Sequence, residues 1–539
     1  MLPIRKCFLR WDLPSLGLAF LAFFLGLLLI SPSLGDMGGD SAQYLSLGRA
    51  LAEGMGYRDT HLPGTPLHVH YPPGFPLLLA GEWLLFGGGS YLPFKLLVLL
   101  MSSLGLYAMG LALLDRFGRG LSLGALGMVL GLTPFLLQSV RIQSEGPYLF
   151  FLALFLVLGK KEEEKKGFDR VPWMALFCVA FLGFLMRMGG VVLFLALGFQ
   201  GIRAWRRTGR KQALAWGLAG AIPVFTWILI AETSGGGTWS YGKEWAALHG
   251  GRISELIHSG IFYLQAIGAS IGGSPWVAAH PSLMLGFSLV VFFGWGMGVR
   301  ATGWRLMDSV LVFSLLLAIL APMRSLRYLI PIFPLLAAHF LKGLSSILSI
   351  FPFFRDPLLR EKGVGYCSLG LALFHFYAST DLFQDRWKER DVLPNQAAIL
   401  GLEKVKMNHW EEGLLLRGPR AAAVREAYGD FLLALQALRR KKLMPQPSLL
   451  AARKPRLVAW LSGIPCVSLP AFRPDGEWVN ELRRRGVSHV IEDGLYRQSQ
   501  TLFRRLRSEK GGLGLPILLQ IRRTKIWGCN VSPEAPKGG

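Results

Sequence analysis

The residues of this sequence that could do chemistry are two acids, three arginines and three loop histidines. Asp40 opens the run Asp40-Ser-Ala-Gln-Tyr44, and a helix through it places Asp40 and Tyr44 on one face. Asp36 is near but outside that spacing. A carboxylate beside an apolar span is costly unless it is paired or used, which marks Asp40 as a functional candidate. The plainer role is capping a helix that starts at Ser41, since Asp is a good N-cap. The second acid is Glu145, in Arg141-Ile-Gln-Ser-Glu145-Gly-Pro-Tyr148, either part of the same chemistry or an interfacial residue paired with Arg141. Arg187 interrupts an apolar run, and Arg324 and Arg327 stand in Arg324-Ser-Leu-Arg-Tyr-Leu-Ile-Pro-Ile-Phe-Pro334. A guanidinium binds phosphate through two parallel hydrogen bonds, so these are candidates for a phosphate site, with interfacial anchoring as the alternative. His61, His68 and His70 fall within ten residues and raise the possibility of a divalent metal, although their spacing matches no standard zinc pattern. His70 and Tyr71 begin the segment His70-Tyr-Pro-Pro-Gly-Phe-Pro76 and are candidates to line the site.

The elements that must position these residues are membrane helices. Of 539 residues, 52% are hydrophobic and 17% are charged, short of the roughly 25% charged residues of a soluble chain. Apolar runs of spanning length lie near 13–31, 91–114, 121–138, 147–159, 171–187, 189–201, 213–231, 282–299, 306–323, 328–346 and 363–379. The stretches at 73–87 and 261–279 are spans or interfacial helices, which makes about 11–13 transmembrane helices. Arg5, Lys6 and Arg10 precede the first run, which is too long for a signal-peptide core and is expected to stay uncleaved. With the N-terminus inside, the clusters at Arg116 and Arg119, Lys160–Lys166, Arg203–Lys211, Arg300–Arg305 and Arg355–Lys362 all face the cytoplasm, as the positive-inside rule requires. The net charge of +24 is therefore a matter of membrane orientation, and nucleic acid is not an expected partner.

Two segments fall on the far side: a long first loop, 32–90, and a tail, 380–539, without a spanning stretch. The division expected is a membrane domain, 1–379, that includes the first loop, followed by a soluble extracytoplasmic α/β domain, 380–539. In the tail, Ala421–Leu438 and Glu477–Arg485 read as helices, and Leu457–Leu461, Val467–Leu469 and Val487–Glu492 as strands. The five cysteines form no CxxC pair, which excludes a thiolate zinc site and leaves pairing of Cys466 with Cys529 possible. Asn530-Val-Ser532 matches a glycosylation acceptor, a common triplet of little weight.

The first loop makes a resemblance specific. An acid four residues before a tyrosine just outside the first span, followed by Tyr-Pro-Pro-Gly-x-Pro, resembles the GT-C superfamily of glycosyltransferases. Within it, the protein-mannosyltransferase and aminoarabinose-transferase group (glycosyltransferase families 39 and 83) is most similar. The Arg-Tyr segment at 327–334 and the tail pattern at 453–493 are also similar to that group. The resemblance implies a polyprenyl-phosphate sugar as donor and a lipid, glycan or protein as acceptor, with membrane lipids around the chain and a bacterial inner membrane as its location. It places Asp40 at the reaction centre as base and Glu145 at the second-loop acidic position, where Asp is commoner. Arg187, Arg324 and Arg327 would meet the phosphate, with Tyr44, His70 and Tyr71 around the substrates. It implies a single, inverting displacement and no certain cofactor, a divalent metal remaining possible. A transporter or flippase, and a lipid-binding scaffold without catalysis, are the rival readings. Polar residues gathered at the outer interface speak against a transporter, whose sites lie at the bilayer midplane.

Overall fold

The computed structural model describes residues 12–31, 34, 39–164, 170–209, 211–234, 253–273, 275–321, 324–379, 389–391, 406–408, 419–441, 448–470, 477–495, 497–508, 515 and 517–529. The chain divides into two compact units. The first holds residues 1–30, 69–77 and 92–381; the second holds 31–68, 78–91 and 382–539.

The first unit is a membrane-spanning helical body. The helices Leu92–Gly131, Met188–Thr208, Leu214–Thr233, Pro281–Thr302 and Leu326–Leu348 are long and apolar enough to cross a bilayer, and Leu13–Leu29, Pro172–Met186 and Leu306–Leu320 are shorter apolar helices. Helices Glu145–Glu164 and Pro357–Ala378 complete the expected series. The spans expected at 91–114 and 121–138 are one helical stretch, broken where Gly118 takes φ 77°, a conformation that glycine adopts without a Cβ penalty. Helices start where the sequence supplies caps: Asp12 accepts from the Ser15 backbone and hydroxyl at 3.2 and 2.6 Å, and Asp356 accepts from the Leu358 N–H at 2.8 Å.

Apolar side chains gain nothing by leaving lipid for other apolar side chains, so close packing decides which helices pair. Gly105 lies where a Cβ would come within 2.8 Å of the Phe150 backbone nitrogen. A Cβ on Gly294 would collide with the backbone of His339 and Gly343, bringing helices Pro281–Thr302 and Phe333–Leu348 together. The end of the body expected to be cytoplasmic is tied by charge. Arg119 meets Asp12 at 3.1 Å, Lys160 pairs with Asp115, and the buried Arg116 meets the buried Asp308 at 2.6 Å. Asp308 also accepts from the Trp295 indole at 2.8 Å and the Arg305 N–H at 2.6 Å. Removing one member of a buried pair leaves the other charge uncompensated. Asp308→Ala is therefore expected to cost about 3–5 kcal/mol of stability, read by thermal unfolding in detergent, whereas Arg116→Met with Asp308→Leu should recover much of that loss.

Neither undecided stretch is among the helices long and apolar enough to cross a membrane. Helix Gly74–Phe86 has 13 residues, about 20 Å at 1.5 Å per residue, against a hydrocarbon core of about 30 Å. Helix Ile253–Gly272 is long enough, but both its ends meet the same end of the body. Glu255 pairs with Arg324, while the Ile271 carbonyl meets His375 near the end of the last span. It therefore lies across the helix ends.

The second unit combines first-loop residues with the tail. Its five-stranded sheet runs in the order Cys466–Ser468, Leu450–Ala452, His489–Glu492, Thr524–Gly528, Ile517–Ile521. The first three strands are parallel and the last two antiparallel. Trp478, Leu482, Val487, Val490, Phe503 and Trp527 form its core. The expected helices over 421–438 and 477–485 are present as Pro419–Lys441 and Glu477–Arg484. The strands expected at 467–469 and 487–492 are Cys466–Ser468 and His489–Glu492. Leu457–Leu461 is a correction: it belongs to a helix, Pro455–Ser462. Pro455 sets the first turn, Leu457, Val458 and Ser462 bury one side, and Gly463 at φ 73° closes the helix. Cys466 and Cys529 are buried free thiols, so the possible disulfide does not form. Asp36 and Asn530 lie outside the described residues.

Candidate active site

Three residues predicted separately from sequence meet in the first unit. Glu145 is the first residue of helix Glu145–Glu164 and is fully buried. Arg187 follows the end of helix Arg170–Met186 in extended backbone, φ −158°. Arg327 sits in Leu326–Tyr328, the first of two 3-10 turns (the second is Ile330–Ile332) that precede helix Phe333–Leu348. One carboxylate oxygen, Glu145 Oε1, accepts from Arg187 Nη1 at 2.8 Å and from Arg327 Nε at 2.6 Å. The Arg187 guanidinium also reaches Ser144 Oγ at 3.3 Å and lies 5.6 Å from the ring centre of Tyr328. The Arg187 and Arg327 side chains are 15% and 30% exposed while that of Glu145 is not exposed at all. The acid is thus beneath and the two cations above it.

This geometry has a clear electrostatic sense. A buried carboxylate is tolerable only when paired and hydrogen-bonded; here it holds two guanidiniums. A guanidinium can meet two oxygens of one anion through parallel hydrogen bonds, so two guanidiniums fixed on one acid are an arrangement that suits a phosphate. Glu145 was expected either to share the chemistry or to pair with Arg141; the partners that fix it are Arg187 and Arg327.

The turn that carries Arg327 is held from helix Ile253–Gly272. The Ser325 N–H donates to Tyr263 Oη at 3.1 Å, and Ser325 Oγ accepts from the Arg327 N–H at 3.4 Å. Arg324 meets Glu255 at 2.5 Å and Ser259 Oγ at 3.2 Å, so it is committed to that helix, apart from the trio. The Tyr-Pro-Pro-Gly segment has a local purpose as well. A Cβ on Gly74 would come within 2.7 Å of the Leu185 Cβ and 2.8 Å of its backbone, so only glycine lets the loop abut the turn that ends in Arg187. His70 and Tyr71 pack ring to ring at 4.7 Å in the same unit.

Asp40 and Tyr44 belong to the second unit. Helix Asp40–Ala52 begins at Asp40 itself; its cap is Gly39, at φ 85°, and no side chain caps it. The expected capping of a helix starting at Ser41 is therefore corrected, and a half-buried carboxylate remains in the first turn. Tyr44, one turn on, is buried. Two bonds hold this helix to the loop that follows: Gln43 Nε2 donates to Asp59 Oδ1 at 2.8 Å, and Ser46 Oγ lies 2.6 Å from Thr60 Oγ1. Asp59, buried and unremarked in the sequence reading, also receives His68 Nδ1 at 2.8 Å, with His61 Nδ1 at 3.7 Å.

His61 and His68 therefore serve a carboxylate. Among the described residues no group of three His, Cys, Asp or Glu side chains could hold a metal ion. Burial holds His61 down to about 4 and His68 below the ordinary imidazole value. Burial pushes the Asp59 carboxyl up, but the His68 hydrogen bond and the charges of His68, His61 and Arg456 together outweigh it and keep the carboxyl low. The unfolded chain then takes up protons first as pH falls below about 6.5, so the histidine contribution is lost between about 6.5 and the folded values. The Asp59 contribution, present above its unfolded value, is lost at still lower pH. Amide protection factors over 57–68, each rate taken relative to its intrinsic rate at that pH, are expected to be lower at pH 5 than at pH 7.5, and His68→Gln should flatten the difference.

No protein-family model and no curated protein matches the sequence. Solved structures do match. ArnT from Cupriavidus metallidurans bound to undecaprenyl phosphate superposes with a TM-score of 0.54 at 12% identity, covering 98% of this chain and 99% of that one. Its apo form gives 0.54 at 13%, with the same coverage. The chain has the fold of the GT-C glycosyltransferases. An oligosaccharyltransferase from Archaeoglobus fulgidus, in complex with Zn and sulfate, matches at a TM-score of 0.50 and 10% identity, over 92% of this chain and 70% of that one.

Proposed function

We propose that this protein is a membrane glycosyltransferase that moves a sugar from a polyprenyl-phosphate donor to an acceptor on the non-cytoplasmic side of the membrane. The observation that carries the reading is the Arg187–Glu145–Arg327 trio on a chain of GT-C fold. A pair of guanidiniums fixed on one acid suits the phosphate that must leave. Asp40 takes the proton of the acceptor hydroxyl or amine; the acceptor atom bonds to the anomeric carbon as the bond from that carbon to the phosphate oxygen breaks. The pair of electrons leaves with the phosphate, where Arg187 and Arg327 stabilise the charge that develops. One displacement inverts the anomeric centre. Glu145 holds the two arginines, and Arg324 acts indirectly, through Glu255 and helix Ile253–Gly272. Tyr44, His70 and Tyr71 line the substrates. A lipid, a glycan and a protein all remain in the acceptor class, and no step is assigned to a metal.

The topology that this reading needs has its own test. In a cysteine-free background, Gly89→Cys and Ala301→Cys are expected to label from opposite faces, the second from the cytoplasm. Labelling from one face would reverse the assignment. The function itself is tested by mass spectrometry of envelope lipids, glycans and proteins from cells with and without the gene. A hexose, pentose or aminosugar missing from one fraction is the expected result, and identical profiles would remove the proposal.

A further inference from the structure

The buried Asp59 has no part in the displacement as written. Its carboxylate oxygen Oδ1 accepts from Gln43 Nε2 and His68 Nδ1, both at 2.8 Å, with His61 Nδ1 at 3.7 Å. Asp59 is 8% exposed, His68 2% and Gln43 not at all. Its own N–H donates to the Pro66 carbonyl at 2.8 Å, and Arg58 bridges Leu67, so the loop around it closes on itself. Gln43 stands three residues after Asp40 and one before Tyr44, and Ser46, one turn on, reaches Thr60. Apolar contacts alone would bury this helix more cheaply than a desolvated carboxylate. What hydrogen bonds add is direction: a charged acceptor fixed by an imidazole sets the rotation of the helix about its axis.

We propose that Asp59 is a positioning residue for the transfer reaction: held by His68, it grips Gln43 and so fixes the helix that carries Asp40. This rests on the reading of Asp40 as the base. A misplacement of about 1 Å at a reacting group can cost a hundredfold in rate, and the grip is one residue short of a full turn from Asp40.

The test uses full-length protein in lipid nanodiscs. It measures kcat for the most active of a panel of undecaprenyl-phosphate hexoses and pentoses, and Kd for undecaprenyl phosphate itself. Gln43→Met keeps volume and removes the amide; Asp59→Leu removes the acceptor; Asp59→Asn keeps an acceptor oxygen without the charge. Gln43→Met and Asp59→Leu should each lower kcat by about 10- to 100-fold with Kd for undecaprenyl phosphate unchanged. Asp59→Asn should restore most of the rate, and Gln43→Met with Asp59→Leu should be no worse than either alone. Wild-type kcat in Gln43→Met, or a Kd that weakens in step with kcat, would overturn the inference. If Asp59→Leu fails to fold, Gln43→Met decides by the same two readings. Asp40→Asn assayed alongside separates the two failures. A slow Asp40→Asn with normal Gln43→Met overturns only the positioning role, whereas a fast Asp40→Asn overturns the base itself.

Discussion

Asp40→Asn should slow sugar transfer by about two to four orders of magnitude, the range of a positioned general base, while the protein still inserts and folds. The substitution keeps the size of the side chain and removes only the charge. Helix Asp40–Ala52 starts at Asp40 with Gly39 as its cap and no capping side chain, so the variant breaks no cap, and the grip of Asp59 on Gln43 is untouched. A loss of rate would therefore report on the carboxylate. Asp36→Asn is the control, since Asp36 shares the loop but not the four-residue spacing to Tyr44. Equal rates for wild type and Asp40→Asn would shift the search for a base to other acids.

The second large effect concerns the leaving group. A hydrogen bond to a charged group is worth about 1.5–3 kcal/mol, roughly a 10- to 100-fold change in affinity. Arg327→Ala should weaken binding of undecaprenyl phosphate by about that factor, and Arg187→Ala should do the same. Arg327→Lys should fall between, because an ammonium keeps the charge but loses the fork that meets both Glu145 and a phosphate. Glu145→Ala should be worse than either for folding, since it leaves two partly buried cations without the acid that holds them. Arg324→Ala should leave the Kd for undecaprenyl phosphate within about threefold of wild type, because its partners are Glu255 and Ser259. Equal losses in Arg324→Ala and Arg327→Ala would mean that the trio does not define the phosphate site.

The membrane body was legible because its signals are local. Apolar runs of spanning length and charge at their ends are visible in any window, and each expected span falls on helical segments. Glu145, Arg187 and Arg327 were legible singly, as charges interrupting apolar stretches. Their convergence was not, since the pairing of residues 145, 187 and 327 depends on how three separate helix ends meet. Asp59 was missed for the opposite reason. In Arg58-Asp-Thr-His61 it looks like an ordinary loop acid, and only folding shows that Gln43 and His68 come to it. The helix Pro455–Ser462 was misread because Leu457, Val458 and Leu461 suit a short buried strand as well as a helix. Pro455 and Gly463, at its two ends, were the signal that could have decided it. The role of Gly74 was hidden in the same way: Tyr71-Pro-Pro-Gly74 is plain as a motif, but its purpose is the space that it leaves for Leu185.

The central claim is that the polyprenyl phosphate is the leaving group of a displacement carried out by this chain. The measurement closest to it is the release of undecaprenyl phosphate from undecaprenyl-phosphate sugars by the purified protein in nanodiscs, with an extract of envelope lipids and glycans as acceptor. The account predicts release that matches, mole for mole, sugar of inverted anomeric configuration on the acceptor, and release that is lost in Asp40→Asn. Release at the same rate in wild type and Asp40→Asn, or no release from any sugar of the panel by protein that binds undecaprenyl phosphate, would contradict it.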